Sequence, residues 1–504
     1  MQQPFMYLDL GDGWQPVNDS ANDVAALSSF SVRWGTDSPS SQPDPAVMTF
    51  TLLDRTGQLA GKSATLCGAK VIVQLSQEPR WMDMPDANWL SYGTVTNACL
   101  HQTYTPPSPD SPESANITIF MGIISTGGEA TPHKDGWILS LTATSGMVLW
   151  KRLQSQGPTS SAARFKGMHW VGTPSSRLKE LNSRAATAGA PTAATDNLIL
   201  PPAVAPYSDD YPSQLDLLHR LFASSPGMPI WCEAYDRDSS RIASTQLADN
   251  VAVTADQSGR LSVTVDSARR QALPASLVSA DESLRIPEPV TQIVLKTKQA
   301  KADKDGVLDF ASVDTTLTDR GLLPGNLKAT QSSITFESDT LTSDQSGGVW
   351  QDGSMWSPTD THRSQAAEWL RCIDLRLRPQ HVVFDGTLLD PADTPWLYTA
   401  SPSGPFLIAG SQAGRLIGSD GLAACSGVWT TLGGNLTFDW HDGRPRITQE
   451  ADIWPLPSPL PAVTWDDLAD WPPSYDGIDV ALSCADLATA DIFETTATIQ
   501  EGTS

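Results

Sequence analysis

The sequence predicts a mainly β protein with a smaller α+β part: two barrel-like antiparallel β-regions, an inserted α+β domain and an extended acidic C-terminal tail. Three observations carry this reading. Short runs alternate apolar and polar residues with period two, as half-buried strands do. Eight Asp-Gly pairs punctuate the chain and supply the positive φ angles of tight hairpins. Helical periodicity is confined to short stretches around residues 215–222 and 364–370.

The opening stretch is the clearest. Phe30–Trp34 forms a short strand and Gly35–Asp44 a ten-residue loop rich in Ser, Pro and Asp. In Ala46–Leu53, Val47, Thr49 and Thr51 alternate with Met48, Phe50 and Leu52. A turn at Asp54–Gly57 and a strand at Val71–Leu75 follow. Residues 1–150 therefore read as a first β-barrel domain, with TYTPPSPDSPES (103–114) as a long loop within it. Residues 151–285 form an α+β domain. Within it, the Ala-, Thr- and Pro-rich run from Ala185 to Pro212 resembles a linker or extended surface segment. An amphipathic helix marked by Leu215, Leu217, Leu218, Leu221 and Phe222 comes next, then strands at MPIWCEAYD and LSVTVD. Alternation resumes after Pro287-Glu288-Pro289, so 286–450 is a second β-rich, barrel-like domain carrying one helix at Ser364–Leu370. Asp135-Gly136 precedes WILSLTAT, Asp305-Gly306 lies between TQIVLKTKQ and VLDFASV, and Asp442-Gly443 between NLTFDW and PRITQ. Residues 451–504 are an acidic Trp-Asp-Asp tail in which proline enforces extended chain.

At 504 residues the chain is too long for one typical core, and a hydrophobic content of 40% suits a folded protein. The net charge of −24 argues against binding nucleic acid through phosphates, which needs basic patches, and against an anionic membrane surface. No Lys or Arg follows Arg446, while eleven Asp or Glu do; that end is a solvated tail or an acidic segment that docks on a partner. Cys67, Cys99, Cys232, Cys372, Cys425 and Cys484 are far apart and form no CxxC pair. They fit neither a disulfide framework nor a zinc knuckle, so buried free thiols in a reducing cytoplasm are expected. The N-terminus, MQQPFMYLDLGDGW, lacks a basic n-region, and no run of about 18 apolar residues occurs, so neither a secretory signal nor a membrane span is expected.

The residues that could carry chemistry are few. His133 and His441 sit at Asp-Gly turns without a G-x-S-x-G partner, so a Ser-His-Asp triad has no support. Asp303-Lys304-Asp305-Gly306 lacks the third acid and the later Glu of a calcium loop. Glu233, Asp236 and Asp238 could supply paired carboxylates for glycoside hydrolysis, though strand-end acids are common on an acidic chain. Neither a P-loop nor a GxGxxG after a strand occurs. Trp465, Asp466, Asp467, Leu468 and Trp471 fit one helical turn with an apolar side and acidic flanks: a docking element, or a segment packed on its own chain. No catalytic residue, cofactor or metal is expected.

The phrase VRWGTDSPSSQPDPAVMTFTLLDRTGQLAG resembles the opening of minor tail proteins, the tail-tip (baseplate) hubs of siphophages that infect actinobacteria. Trp34-Gly35 ends a strand, Gln42–Pro45 closes the loop, and Phe50–Leu53 runs into the Asp54–Gly57 turn. Strands like GAKVIVQLS, LSYGTV and WILSLTAT then follow in the family's order. The turn reads Asp-Arg-Thr-Gly where the family has Asp-Asn-x-Asp-Gly. DQSGRLSV (256–263) and TWDDLADW (464–471) are similar to a middle hairpin and a C-terminal phrase of the same proteins. The resemblance implies two hub-type antiparallel β-barrels per chain and a homotrimeric, pseudo-sixfold collar in the virion tail tip, made in the host cytoplasm. In related hubs a later segment can complete the first barrel. Its implied partners are the distal tail protein, the tape measure protein and other minor tail proteins. DNA would pass through the ring without stable binding, which an acidic lumen suits, and no membrane insertion is implied. The candidate interface is Trp34, Gly35, Asp37, Pro43 and Asp44, with Trp465, Asp466, Asp467, Leu468 and Trp471. The rival functions are a carbohydrate-binding adhesin and a cell-wall hydrolase.

Overall fold

Strands β1 (Phe5–Asp9) and β2 (Trp14–Pro16) form a hairpin, and β3 (Ala26–Gly35) pairs antiparallel with β4 (Val47–Asp54), placing Phe30 opposite Phe50 and Val32 opposite Met48. A single helical turn, α1 (Ser63–Leu66), leads to β5 (Lys70–Leu75), β6 (Ile117–Ile124), β7 (Glu129–His133) and β8 (Gly136–Ser145). The strands run β3-β4-β8-β6-β5-β1-β2. Val24 N–H donates to Pro16 O, bringing β2 back to the chain that enters β3. The sheet thus curls into a barrel. Alternate residues fill it: Met6, Leu8, Phe30, Val32, Met48, Phe50, Leu52, Val71 and Val73 are buried, each contributing about 1.5–3 kcal/mol by leaving water. In this computed structural model the described residues are 4–17, 24–75, 116–193, 204–223, 230–317, 333–342, 378–409 and 427–455, apart from short stretches within these ranges.

β7 is exposed along its whole length and, among the described residues, pairs only with β8. Its outer edge carries Pro132, which has no N–H to offer a further strand and so blunts the edge.

The next unit holds α2 (Val148–Arg152), α3 (Pro174–Thr187) and α4 (Gln214–Ala223). Leu215, Leu217, Leu218 and Leu221 are buried, so α4 lies where the apolar spacing placed it. α3 was not anticipated: Thr173 caps it by accepting from Ser176 N–H at 3.2 Å, Pro174 occupies its first position, and Leu178, Leu181 and Ala185 enter the core. The Ala/Pro-rich linker is accordingly corrected. Ala185–Thr187 are helical; Ala190, Ala193, Val204 and Tyr207 are buried in the apolar cluster that includes α3 and α4, and Ala205 in another that includes Ala300, Leu308 and Leu341.

Strands β9 (Ile230–Tyr235) and β10 (Ser240–Thr245) form a two-stranded ribbon, and β11 (Ala252–Ala255), β12 (Leu261–Val265) and β13 (Ala268–Gln271) a meander. Short strands follow at β14 (Leu273–Pro274), β15 (Val278–Ala280) and β16 (Leu284–Arg285). β17 (Gln292–Ala302) turns at Asp305-Gly306 into β18 (Leu308–Leu317) and also pairs, in parallel, with β19 (Ser333–Thr342). This sheet reaches the helical unit through Tyr207, whose hydroxyl donates to Asp339, and through Arg220, which lies 3.3 Å from the same carboxylate. Arg177 is buried beside them, donating to Trp170 O and Ala205 O and lying over the Tyr207 ring.

β20 (Arg378–Pro379) pairs with β16; β21 (His381–Asp385), β22 (Phe406–Ala409), β23 (Gly427–His441) and β24 (Arg444–Pro455) complete the chain's second barrel. Its order is β14-β22-β23-β24-β21-β15, with the end strands β14 and β15 consecutive in the chain. The cores of both barrels merge into one apolar cluster, across which Phe30 stacks on Phe438 with 5.5 Å between ring centres. Among the described residues, Cys232 is buried as expected, whereas Cys67 is exposed, being placed at the end of α1 rather than in a strand. The helix expected at Ser364–Leu370, the 103–114 loop apart from Pro112, Cys99, Cys372, Cys425, Cys484 and the acidic tail beyond residue 455 lie outside the described residues; residues 451–455, expected to begin that tail, instead end β24. Among the described residues no helix is long and apolar enough to cross a membrane.

Candidate interface site at the barrel junction

β23 belongs to both barrels. Its first residues pair with β22, placing Trp429 opposite Phe406; a register shift follows between Thr431 and Gly433; and Gly433–Phe438 then pair with β3, from Gly35 back to Phe30. The crossing is tight. Gly35 has φ +77°, and a Cβ there would lie 2.1 Å from Leu432 O; a Cβ on Gly434 would lie 2.2 Å from Glu450 O. Backbone fills the space of a side chain at both positions, so only glycine fits. Thr36 N–H donates to Leu432 O at 3.0 Å and continues the ladder past the bend.

Outside this crossing, on the solvent face of the joined sheet, lies a cleft of about 910 Å³. Its charged lining comes from Arg33, Asp37, Asp44, His381, Glu450 and Asp452. His381 Nδ1 lies 2.7 Å from Asp452 Oδ1. Burial raises the Asp452 carboxyl; His381 opposes the rise, and the neighbouring Asp37 and Glu450 add to it.

The loop after β3 forms one wall. Thr36 Oγ1 donates to Ser38 O and Ser41 N–H donates to the same oxygen, folding the loop on itself. Its far end is anchored on the chain's own helical unit. Trp231 N–H donates to Gln42 Oε1 at 3.0 Å, and Lys151 Nζ lies 3.0 Å from Asp44 Oδ1. His219 stacks on Trp231 beneath Pro43. Burial pushes the His219 imidazole down to about 4, so it packs as a neutral ring.

The first group of candidate interface residues therefore divides. Trp34 is 5% exposed and belongs to the barrel core; Pro43 is buried against the helical unit. Gly35 serves the crossing, Asp44 pairs with Lys151, and Asp37 is exposed in the cleft. Trp465, Asp466, Asp467, Leu468 and Trp471 lie outside the described residues.

The trace is similar to those of solved phage tail proteins. The tail protein from Neisseria meningitidis matches at 11% identity and a TM-score of 0.41, covering 89% of this chain and 96% of that one. The 43 kDa tail protein of prophage MuSo2 from Shewanella oneidensis matches at 8% identity and a TM-score of 0.40, covering 89% and 98%. Prophage tail protein gp18 from Listeria monocytogenes matches at 8% identity and a TM-score of 0.39, covering 89% and 94%. No protein-family model matches the chain, and no curated protein does.

The other residues singled out by chemistry do not assemble. His133 and His441 are exposed at their turns. Asp303 Oδ1 accepts from Asp305 N–H and Val307 N–H, as a hairpin turn requires. Glu233 is buried while Asp236 is exposed at the end of β9, and Asp238 lies outside the described residues. Among the described residues no group of three His, Cys, Asp or Glu is placed to hold a metal ion. Gly434, His381, Glu450 and Asp452, which build the junction with Gly35, escape sequence reasoning because their partners are far away in the chain; the adjacent glycines Gly433-Gly434 within an alternating run were the one local signal.

Proposed function

We propose that this chain is a ring-forming structural subunit of a phage tail tip: the hub of a long non-contractile tail, linking the tail tube and tape-measure end to receptor-binding tip proteins. The observation that carries the reading is the sharing of β23, which fastens two barrels side by side through one continuous 14-stranded sheet. A pair of barrels held in this way is one rigid building block. Three such blocks around an axis present six barrels to a sixfold tube while offering three chains to a threefold tip. The tail-hub phrase spanning β3, its loop and β4 supports the same assignment, and it lies at the junction itself. The net charge of −24 suits a ring through which DNA passes without being held. In this reading the cleft faces a neighbouring tail component, and no side chain acts as a catalyst.

The test is the mass of the purified full chain in solution, followed by imaging of tails that carry a tagged copy. A stable trimer and a label at the tip are expected. A chain that stays monomeric at micromolar concentration, or tails labelled along the tube, would overturn the proposal. Clearing of actinobacterial cell walls in a zymogram, abolished by a single carboxylate substitution, would establish an enzyme instead.

A further inference from the structure

Glu233 lies within β9 and is 4% exposed, where that ribbon meets the end of β8. Its Oε1 accepts from Gly146 N–H at 3.1 Å and from Ser240 Oγ at 2.9 Å. One oxygen thus ties the chain leaving the first barrel to both strands of the β9–β10 ribbon. The other oxygen is unlike it. Oε2 is buried with no hydrogen-bond partner among the described residues, and so is the hydroxyl of Ser145. Ser145 lies near enough to influence the carboxyl, yet not in a geometry that makes a full hydrogen bond. A carboxylate can only accept, so an ionised Glu233 leaves buried charge poorly compensated. A neutral carboxyl carries one O–H, which the Ser145 hydroxyl, a donor as well as an acceptor, can accept.

We propose that Glu233 is a protonation-controlled clasp between the first barrel and the β9–β10 ribbon: closed when the carboxyl holds its proton, loosened when it is ionised. The step is an acid dissociation. The Oε2–H bond breaks, the proton passes to water, and its electron pair stays on the carboxylate. Tyr235 and Cys232, on the same strand, are both pushed up by burial and stay neutral at physiological pH. Arg241 on β10 is exposed and acts on Cys232. From β10 the carboxyl also meets the Ser240 hydroxyl, and from the β8–α2 side the Ser145 hydroxyl and the N–H groups of Gly146 and Met147. Burial raises the carboxyl against these hydrogen bonds, to about 7. Because the folded value lies above the ordinary 4.5, the contribution is complete below that value and is lost as pH rises through about 7.

Hydrogen exchange of the full chain at about pH 5.5 and about pH 8.5, corrected for intrinsic chemistry, reads the clasp directly. Protection of residues 143–147 and 231–235 is expected to fall roughly tenfold at the higher pH. Glu233→Gln keeps the shape and removes the titration, and its protection is expected to be the same at both. Equal protection in the native chain, or a pH response that survives in Glu233→Gln, would overturn the proposal. If that variant fails to fold, infrared spectra of the native chain still decide. A buried protonated-carboxyl band present at the lower pH and lost at the higher supports the clasp; its absence at both refutes it.

Discussion

Gly35 passes so close to Leu432 that a Cβ on it would sit 2.1 Å from the Leu432 carbonyl oxygen. The relationship predicts the outcome of Gly35→Ala. The substitution adds both a backbone collision and a positive-φ penalty, so it is expected to destabilise by more than about 3 kcal/mol. Gly57→Ala is the comparison: its φ of +74° is similar, but its nearest neighbour is the Trp137 ring at 3.5 Å. Only the conformational penalty of about 1 kcal/mol is expected there. Urea midpoints of the two variants measure the difference, and equal losses would show that the crossing tolerates a side chain.

Tyr207 and Asp339 make the corresponding contact between the helical unit and the β17–β19 sheet. Tyr207→Phe leaves a buried carboxylate short of one donor, with Arg220 remaining. A loss of about 1–3 kcal/mol is expected, since an orphaned buried acceptor costs more than the bond contributed. An unchanged denaturation midpoint would mean that the remaining partners satisfy Asp339.

Asp385 and Arg446 predict an acid limb of stability. Burial raises the Asp385 carboxyl, but hydrogen bonds from Thr387 and Arg446 outweigh it and hold it below the ordinary value of 3.8. A lowered carboxyl stabilises the fold above that ordinary value, and the contribution disappears as pH falls through the lower folded one. Arg446→Gln is therefore expected to lower the melting temperature at pH 7 and to change nothing in strong acid. Arg446 is 40% exposed, which limits the effect to about 1 kcal/mol. A deficit of the same size at both pH values would assign the loss to packing.

The loop beyond β3 separates folding from assembly. Its end is held by Gln42 and Asp44, whereas Ser38, Ser40 and Ser41 bond to one another and to Thr36. Replacing 38–41 by a shorter turn is expected to leave the melting temperature nearly unchanged and, if the proposed trimer forms, to abolish it as read by light scattering. A shortened chain that still trimerised and built infectious tails would make the loop a connector only.

Local chemistry made much of the fold legible. Asp135-Gly136, Asp305-Gly306 and Asp442-Gly443 turn their hairpins because the positive φ needed at each turn falls on the glycine, and at Asp442-Gly443 on both residues. The alternation in β4 and the leucine spacing of α4 report which face meets the core. α3 was legible in principle through Thr173 and Pro174, but its mean composition is polar and its buried face rests on Leu178, Leu181 and Ala185. What period and turn chemistry cannot express is pairing across hundreds of residues. Ser31 meets Asn435 at 2.7 Å although the two stand 404 positions apart, and nothing near either residue marks the other. The burial of Glu233 was hidden for the same reason. Its sequence neighbourhood is that of a strand end, and its environment comes from Ser145 and Gly146.

The late arrival of β23 also sets a clock on synthesis. β3 emerges early, yet the strand that covers its free edge begins at Gly427. A ribosome adding about 5–20 residues per second needs roughly 20–80 seconds to bridge that interval. Throughout it the newborn chain presents an unpaired edge from Phe30 to Gly35, open to the same edge on a neighbouring polysome.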